Sequence, residues 1–200
     1  LKIPVLSLGG MRFQKSWDQL DFSEVSKEEQ NKVENILKLA NKYGLSHVET
    51  AKYYGTSEMQ LGIGFKNAKK FPNIIQTKIP PNNDPKIFEQ DVMTSIEKLK
   101  VKKIDLLAIH GINTPEHLQQ AIRNGGCVDI LRNLQKENLI GSIGFSTHGK
   151  SSLIERAIST NLFDYVNLHW YFINQRNTKV INLANSYAVS YTHLRAHETQ

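Results

Sequence analysis

Six apolar segments, each followed by an amphipathic one, set the strongest limit on what this chain can fold into. The apolar segments read "PVLSLGGM" (4–11), "SHVETA" (46–51), "NIIQTKI" (73–79), "IDLLAIHGI" (104–112), "LIGSIGFST" (139–147) and "YVNLHWYFI" (165–173). Between them, "KEEQNKVENILKLANKYG" (27–44) puts Val33, Ile36, Leu37 and Ala40 on one helical face and stops at Gly44. In "DPKIFEQDVMTSIEKLK" (84–100), Asp84 is an N-cap and Pro85 takes the first helical position. Further helices are predicted near 57–68, 115–137, 151–161 and 178–187.

Strands rich in Val, Ile and Leu that alternate with helices mean βαβ units and a parallel sheet. No glycine-rich nucleotide fingerprint follows the first strand, which favours a barrel over a doubly wound sheet. A complete (β/α)8 TIM barrel has eight strands in about 250 residues. The expected fold is therefore α/β, an incomplete TIM barrel with about six of the eight units, in one domain over residues 1–188.

The bulk properties narrow the function. A chain of 200 residues with 40% hydrophobic content suits one packed domain. No apolar run approaches the roughly 18–20 residues of a membrane span, and the opening "LKIPVLSLGG" shows no secretory pattern. Cys127 is the single cysteine, which excludes a disulfide framework and leaves a packed thiol as its expected state. The expected location is cytoplasmic. The net charge of +6 comes from scattered lysines, and the cluster "KLKVKK" (98–103) reads as a solvated helix end. Neither nucleic acid nor membrane is expected as a partner; anionic small ligands such as phosphorylated cofactors suit the charge.

After "TKVINLANSYA" comes "VSYTHLRAHETQ" (189–200), which lacks periodicity. Its first eleven residues resemble a one-frame translation of a transposase sequencing adapter. It is expected to be a non-native tail, so the spacing of His193 and His197 is not read as a metal pair.

In a barrel, chemistry sits at the C-terminal ends of the strands. The polar residues there are Glu49, with Tyr54 in the following loop; Gln76 and Lys78; His110; Ser146, Thr147 and His148; and Asn167 and His169. Any one alone reads as an ordinary rim residue. Glu49, Lys78 and His110, however, end three consecutive strands about 4.8 Å apart, so they converge by default. A lysine and a histidine at a barrel mouth are costly without partners.

The stretch "ETAKYYGTSE" (49–58), with "QTK" (76–78) and "LLAIH" (106–110), resembles the aldo-keto reductase family, and the resemblance runs over residues 1–188. It implies a hydride transfer from a nicotinamide, usually NADPH with NADH as the other choice, to a small aldehyde or ketone. It places Glu49 as the catalytic acid, Tyr54 as proton donor, Lys78 as the lysine beside it and His110 as the histidine that orients the carbonyl. The residue types fit those roles. An ammonium near a phenol favours phenolate and brings its pKa toward the working range, and a carboxylate keeps that ammonium charged.

The sequence also departs from the family pattern. Glu49 stands where aspartate is usual, Thr147 follows Ser146 where asparagine is usual, and Asn167 replaces a glutamine. By the resemblance, Ser146, Thr147 and Asn167 hold the nicotinamide. The aromatic that stacks on it and the basic segment that grips the phosphates belong to the seventh and eighth strands. One branch of the family appends an iron–sulfur segment after the barrel, and the residues present decide neither for nor against one. This chain by itself is expected to be inactive.

Three other readings compete. A metal-dependent TIM-barrel hydrolase would draw on His47, Glu49, His110, His148 and His169; it leaves "YGTSE" unexplained, and no metal site is assigned. A Schiff-base aldolase would use Lys78, which Glu49 opposes by keeping the amine protonated. A non-catalytic nicotinamide-binding regulatory relative would share the fold and the cofactor. Trp170 and Tyr171 read as packing residues.

Overall fold

The structure, a computed structural model, describes residues 4–14, 16–67 and 74–193. Its strands are β1 (Leu8–Gly9), β2 (His47–Glu49), β3 (Ile74–Ile79), β4 (Ile104–Ile109), β5 (Ile140–Ser146), β6 (Tyr165–Leu168) and β7 (Ser190–His193). Its helices are α1 (Lys27–Lys42), α2 (Ser57–Asn67), α3 (Pro85–Leu99), α4 (Pro115–Ile122), α5 (Cys127–Lys136), α6 (Ser151–Ser159) and α7 (Thr178–Ser186). All strands are parallel and lie side by side in chain order. This is a curled, incomplete (β/α)8 barrel, as the alternating pattern predicts. Ala68, Asn73 and His197, which fall in segments discussed above, lie outside the described residues.

Local chemistry sets the helix ends. Ser26 caps α1 by accepting from the Glu29 amide while Glu29 accepts from the Ser26 amide, so two exposed donors are satisfied reciprocally. Asp84 accepts from the Lys86 amide at the start of α3. The buried face of α1 holds Val33, Leu37 and Ala40, whereas Ile36 is 39% exposed and leaves the expected stripe. Two further differences are informative. The segment 115–137 is two helices, because Gly125 adopts φ +67° and Gly126 starts α5; an apolar period runs through both and hides the break. Among the described residues there are also seven strands where six are expected. Ser190–His193 pairs with β6 from Tyr165↔Ser190 to Leu168↔His193. That contact uses backbone groups, which any extended segment offers to an open sheet edge.

The main core lies between the sheet and the helices, where Ile75, Ile79, Ile109, Phe145 and Val166 meet Phe88, Leu131 and Ile154. A smaller cluster of Ile74, Leu106, Ala108 and Tyr165 fills the barrel interior. Strand side chains alternate between the two faces. Hence Ile75, Thr77 and Ile79 face the helices, while Ile74, Gln76 and Lys78 face inward. Cys127 is buried with its thiol toward the Asn82 carbonyl, and burial pushes that thiol up. Trp170 packs against the main core. Among the described residues no helix is long and apolar enough to cross a membrane.

Candidate active site

Lys78, near the end of β3, has no exposed surface. Its ammonium carries three donors and finds three acceptors. It pairs with the Glu49 carboxylate from β2, donates to the Thr50 carbonyl at 3.0 Å and donates to the Tyr54 hydroxyl at 3.2 Å. Burial pushes Lys78 down to about 7; the Glu49 carboxylate works against that fall by favouring the charged form. His110 follows β4 and stands edge-on to Tyr54, ring centroids 6.0 Å apart at 90°. Burial above all, then the Lys78 and His148 charges, lowers His110 to about 3, so its ring is neutral at neutral pH. Among the described residues its Nδ1 is buried without a hydrogen-bond partner.

The loop carrying Tyr54 explains the "YGTSE" stretch physically. Gly55 has φ +50°, and a Cβ there would lie 2.0 Å from the Ser16 carbonyl oxygen. Only glycine lets the segment before α1 lie against this turn. That segment brings Trp17 to Tyr54, centroids 6.1 Å apart. Ser57 donates to the Gly10 carbonyl at 2.9 Å and lies 2.8 Å from the Thr50 hydroxyl. Glu58 is buried and accepts from Thr77 at 2.6 Å and Ser95 at 3.1 Å. Burial raises its pKa, and those two hydroxyls partly reverse the rise.

Ser146 and Asn167 stand opposite each other on β5 and β6. The Ser146 hydroxyl accepts from the Gly111 amide at 3.0 Å, which leaves its O–H to donate. Asn167 Oδ1 accepts from Gln76 Nε2 at 3.1 Å, which makes Nδ2 the end it offers a ligand. The Thr147 hydroxyl is committed to the fold, donating to the Ile112 carbonyl at 2.6 Å and accepting from the Gly149 amide at 2.9 Å. His148 and His169 face each other, ring centroids 4.7 Å apart.

The structure therefore brings Glu49, Tyr54, Lys78 and His110 together and sets Ser146 and Asn167 beside each other. It does not gather a metal set: among the described residues no three His, Cys, Asp or Glu side chains are placed to hold a metal ion. Sequence reasoning misses Trp17 and the Thr50 carbonyl. Trp17 lies in an aperiodic loop with no signal of its partner, and a backbone acceptor has no sequence signature.

An incomplete parallel barrel with a buried lysine hydrogen-bonded to a tyrosine at its mouth defines the class. The model of the Aldo/keto reductase family matches residues 5–194, and the chain belongs to that family of oxidoreductases. Its members act on small carbonyl compounds with nicotinamide cofactors. The fold is similar to that of a Pseudomonas aeruginosa protein ascribed to the aldo-keto reductases, with 22% identity and a TM-score of 0.78 over 96% of this chain and 73% of that one. It is also similar to a Bacillus halodurans aldo-keto reductase in its holo form, at 16% identity and a TM-score of 0.77 over 96% and 62% of the two chains. A Bombyx mori aldo-keto reductase in complex with NADP aligns at 18% identity and a TM-score of 0.73, over 99% and 66%. No curated protein matches the sequence.

Proposed function

We propose that the protein reduces an aldehyde or ketone with NADPH, using Tyr54 as the proton donor. One observation carries the reading: a fully buried ammonium, Lys78, donates to the Tyr54 hydroxyl at 3.2 Å beside a neutral histidine. The residues present suit a nicotinamide, since Ser146 keeps an O–H to donate and Asn167 offers Nδ2. A bound reduced nicotinamide supplies the hydride, which no side chain can. Its phosphorylated form fits a chain of net charge +6 and matches the NADP bound by the Bombyx mori relative.

The chain's own residues supply the proton and the alignment. Tyr54 gives its proton to the carbonyl oxygen as the carbon accepts hydride. Lys78 stabilises the phenolate that remains, and Glu49 holds Lys78 charged and in place. The neutral His110 offers an N–H to the carbonyl oxygen without competing for the Tyr54 proton. Thr147 serves by tying down the loop that follows Ser146. Among the described residues β7 does not pair with β1, and the 200-residue chain by itself is proposed to be inactive.

The test is NADPH oxidation with a panel of aldehydes and ketones, using the complete reading frame that carries this chain, beside its Tyr54→Phe variant. The variant should lose roughly 10³-fold in kcat, within the range for general acid catalysis, while its cofactor Kd stays within about twofold. Turnover unchanged in the variant would sink the mechanism. Tight cofactor binding with no turnover in the wild type would favour the non-catalytic relative.

A further inference from the structure

Below the lysine–tyrosine pair, a second row of polar side chains crosses the barrel interior. The Ser7 hydroxyl lies 2.6 Å from His47 Nδ1. His47 is buried, and among the described residues its Nε2 has no hydrogen-bond partner. Gln76 is buried on the next strand, and its Oε1 also lacks one. The other end of that amide donates to Asn167 Oδ1 at 3.1 Å, across the barrel on β6.

The two orphans are complementary. Glu49 sits opposite Gln76 in the β2–β3 register, so His47, two residues earlier, projects from the same face one step below. Burial holds the His47 ring neutral, lowering it to about 4, while Gln76 pulls the other way. Gln76 Nε2 is already committed to Asn167 Oδ1, so the oxygen is the end of that amide left for the ring. A neutral imidazole carries one N–H. A Ser7 O–H donated to Nδ1 puts that N–H on Nε2, toward the unpaired Gln76 oxygen.

We infer that Ser7, His47 and Gln76 form a directional hydrogen-bond chain that turns the Asn167 amide so that its N–H, not its oxygen, meets the nicotinamide carboxamide. The chain runs Ser7 O–H to His47 Nδ1, His47 Nε2–H to Gln76 Oε1, and Gln76 Nε2–H to Asn167 Oδ1. Each link fixes the direction of the next. Gln76 thus acts as a positioning residue that never touches the cofactor. The inference rests on the nicotinamide reading above.

The experiment measures Kd in the complete reading frame for three ligands: NADP, its 3-acetylpyridine analogue and adenosine 2′,5′-bisphosphate. The analogue keeps the carbonyl oxygen and lacks the amide N–H groups; the bisphosphate lacks the nicotinamide. Wild-type protein should bind NADP and the analogue within about threefold of each other, because the contact is to the carbonyl. Gln76→Met keeps the side-chain length and removes both hydrogen bonds. It should weaken NADP about tenfold, equivalent to ~1.4 kcal/mol, and leave the bisphosphate unchanged.

Rejection of the analogue by tenfold or more in the wild type would mean that Asn167 presents its oxygen, and would overturn the inference without any variant. Gln76→Met binding NADP as the wild type does, or losing all three ligands equally, would overturn it too. In these cases the nicotinamide reading stands. Failure of the wild type to bind NADP would overturn both.

Discussion

Lys78 shows what a single residue has to overcome. A cation with no exposed surface is costly unless each donor is met, and Glu49, the Thr50 carbonyl and Tyr54 meet them. Glu49 is the partner that matters for charge. Burial brings Lys78 down to about 7 with Glu49 in place; in Glu49→Gln the anion that favours the charged form is gone, so the lysine should lose its proton at lower pH than in the wild type. By the proposed mechanism, carbonyl reduction falls as Lys78 neutralises; that fall should shift to lower pH by about one unit or more, the direction expected for a lost ion pair. A kcat profile from pH 4.5 to 9 measures it, and an unshifted profile would show that Glu49 does not govern the lysine. The convergence of Glu49, Lys78 and His110 was legible because strand order brings the ends of β2, β3 and β4 together, and Tyr54 was placed by the resemblance of its loop motif. Trp17 was not, since its approach to Tyr54 depends on a loop whose path no periodicity records.

Among the elements, close backbone approach is the recurring constraint. At Gly62 in α2 a Cβ would lie 2.1 Å from the Lys98 carbonyl oxygen of α3. Backbone cannot swing aside as a side chain does, so Gly62→Ala should force the two helices apart and cost roughly 1–3 kcal/mol, the usual range for overpacking. A urea midpoint unchanged from wild type would contradict this. Gly55→Ala meets both a positive φ and the Ser16 carbonyl. It should displace Trp17 and Tyr54, with activity falling more steeply than stability; equal activity in a folded variant would argue against that loop geometry. Most strands and helices were readable from apolar pattern, capping and stop signals. The break between α4 and α5 was not. Leu118, Ala121, Val128 and Leu131 are buried on both sides of it, so the helical period continues while the backbone turns. β7 was unreadable for a different reason: four residues are too few to show a period, although Tyr191 packs against the core.

At the scale of the whole molecule, titration and open edges set the behaviour. His47 and His110 are lowered from 6.5 to about 4 and about 3. Below pH 6.5 the unfolded chain therefore takes up protons that the folded chain refuses, and stability falls with pH until the folded values are reached. Each histidine contributes about 1.4 kcal/mol per pH unit across its window. Glu58 acts oppositely: its raised pKa lets the folded state bind a proton first, which favours the fold as pH falls. The two histidines should prevail, so urea midpoints should drop steadily from pH 6.5 to 4.5, and His47→Gln should remove roughly half of the slope. A flat profile would mean that those rings are not buried as described. β1 and β7 end the sheet without a further partner among the described residues. The 200-residue chain should therefore self-associate with rising concentration, and a monomer in sedimentation at all concentrations would contradict that.

The central claim is that Glu49, Tyr54, Lys78 and His110 serve direct hydride transfer to a carbonyl carbon. The most direct measurement uses cofactor carrying deuterium at both nicotinamide C4 hydrogens with the complete reading frame, and locates the label in the product by mass spectrometry. One deuterium on the former carbonyl carbon, with the yield collapsing in Tyr54→Phe, is the expected result. Product formed without deuterium at that carbon would contradict the claim.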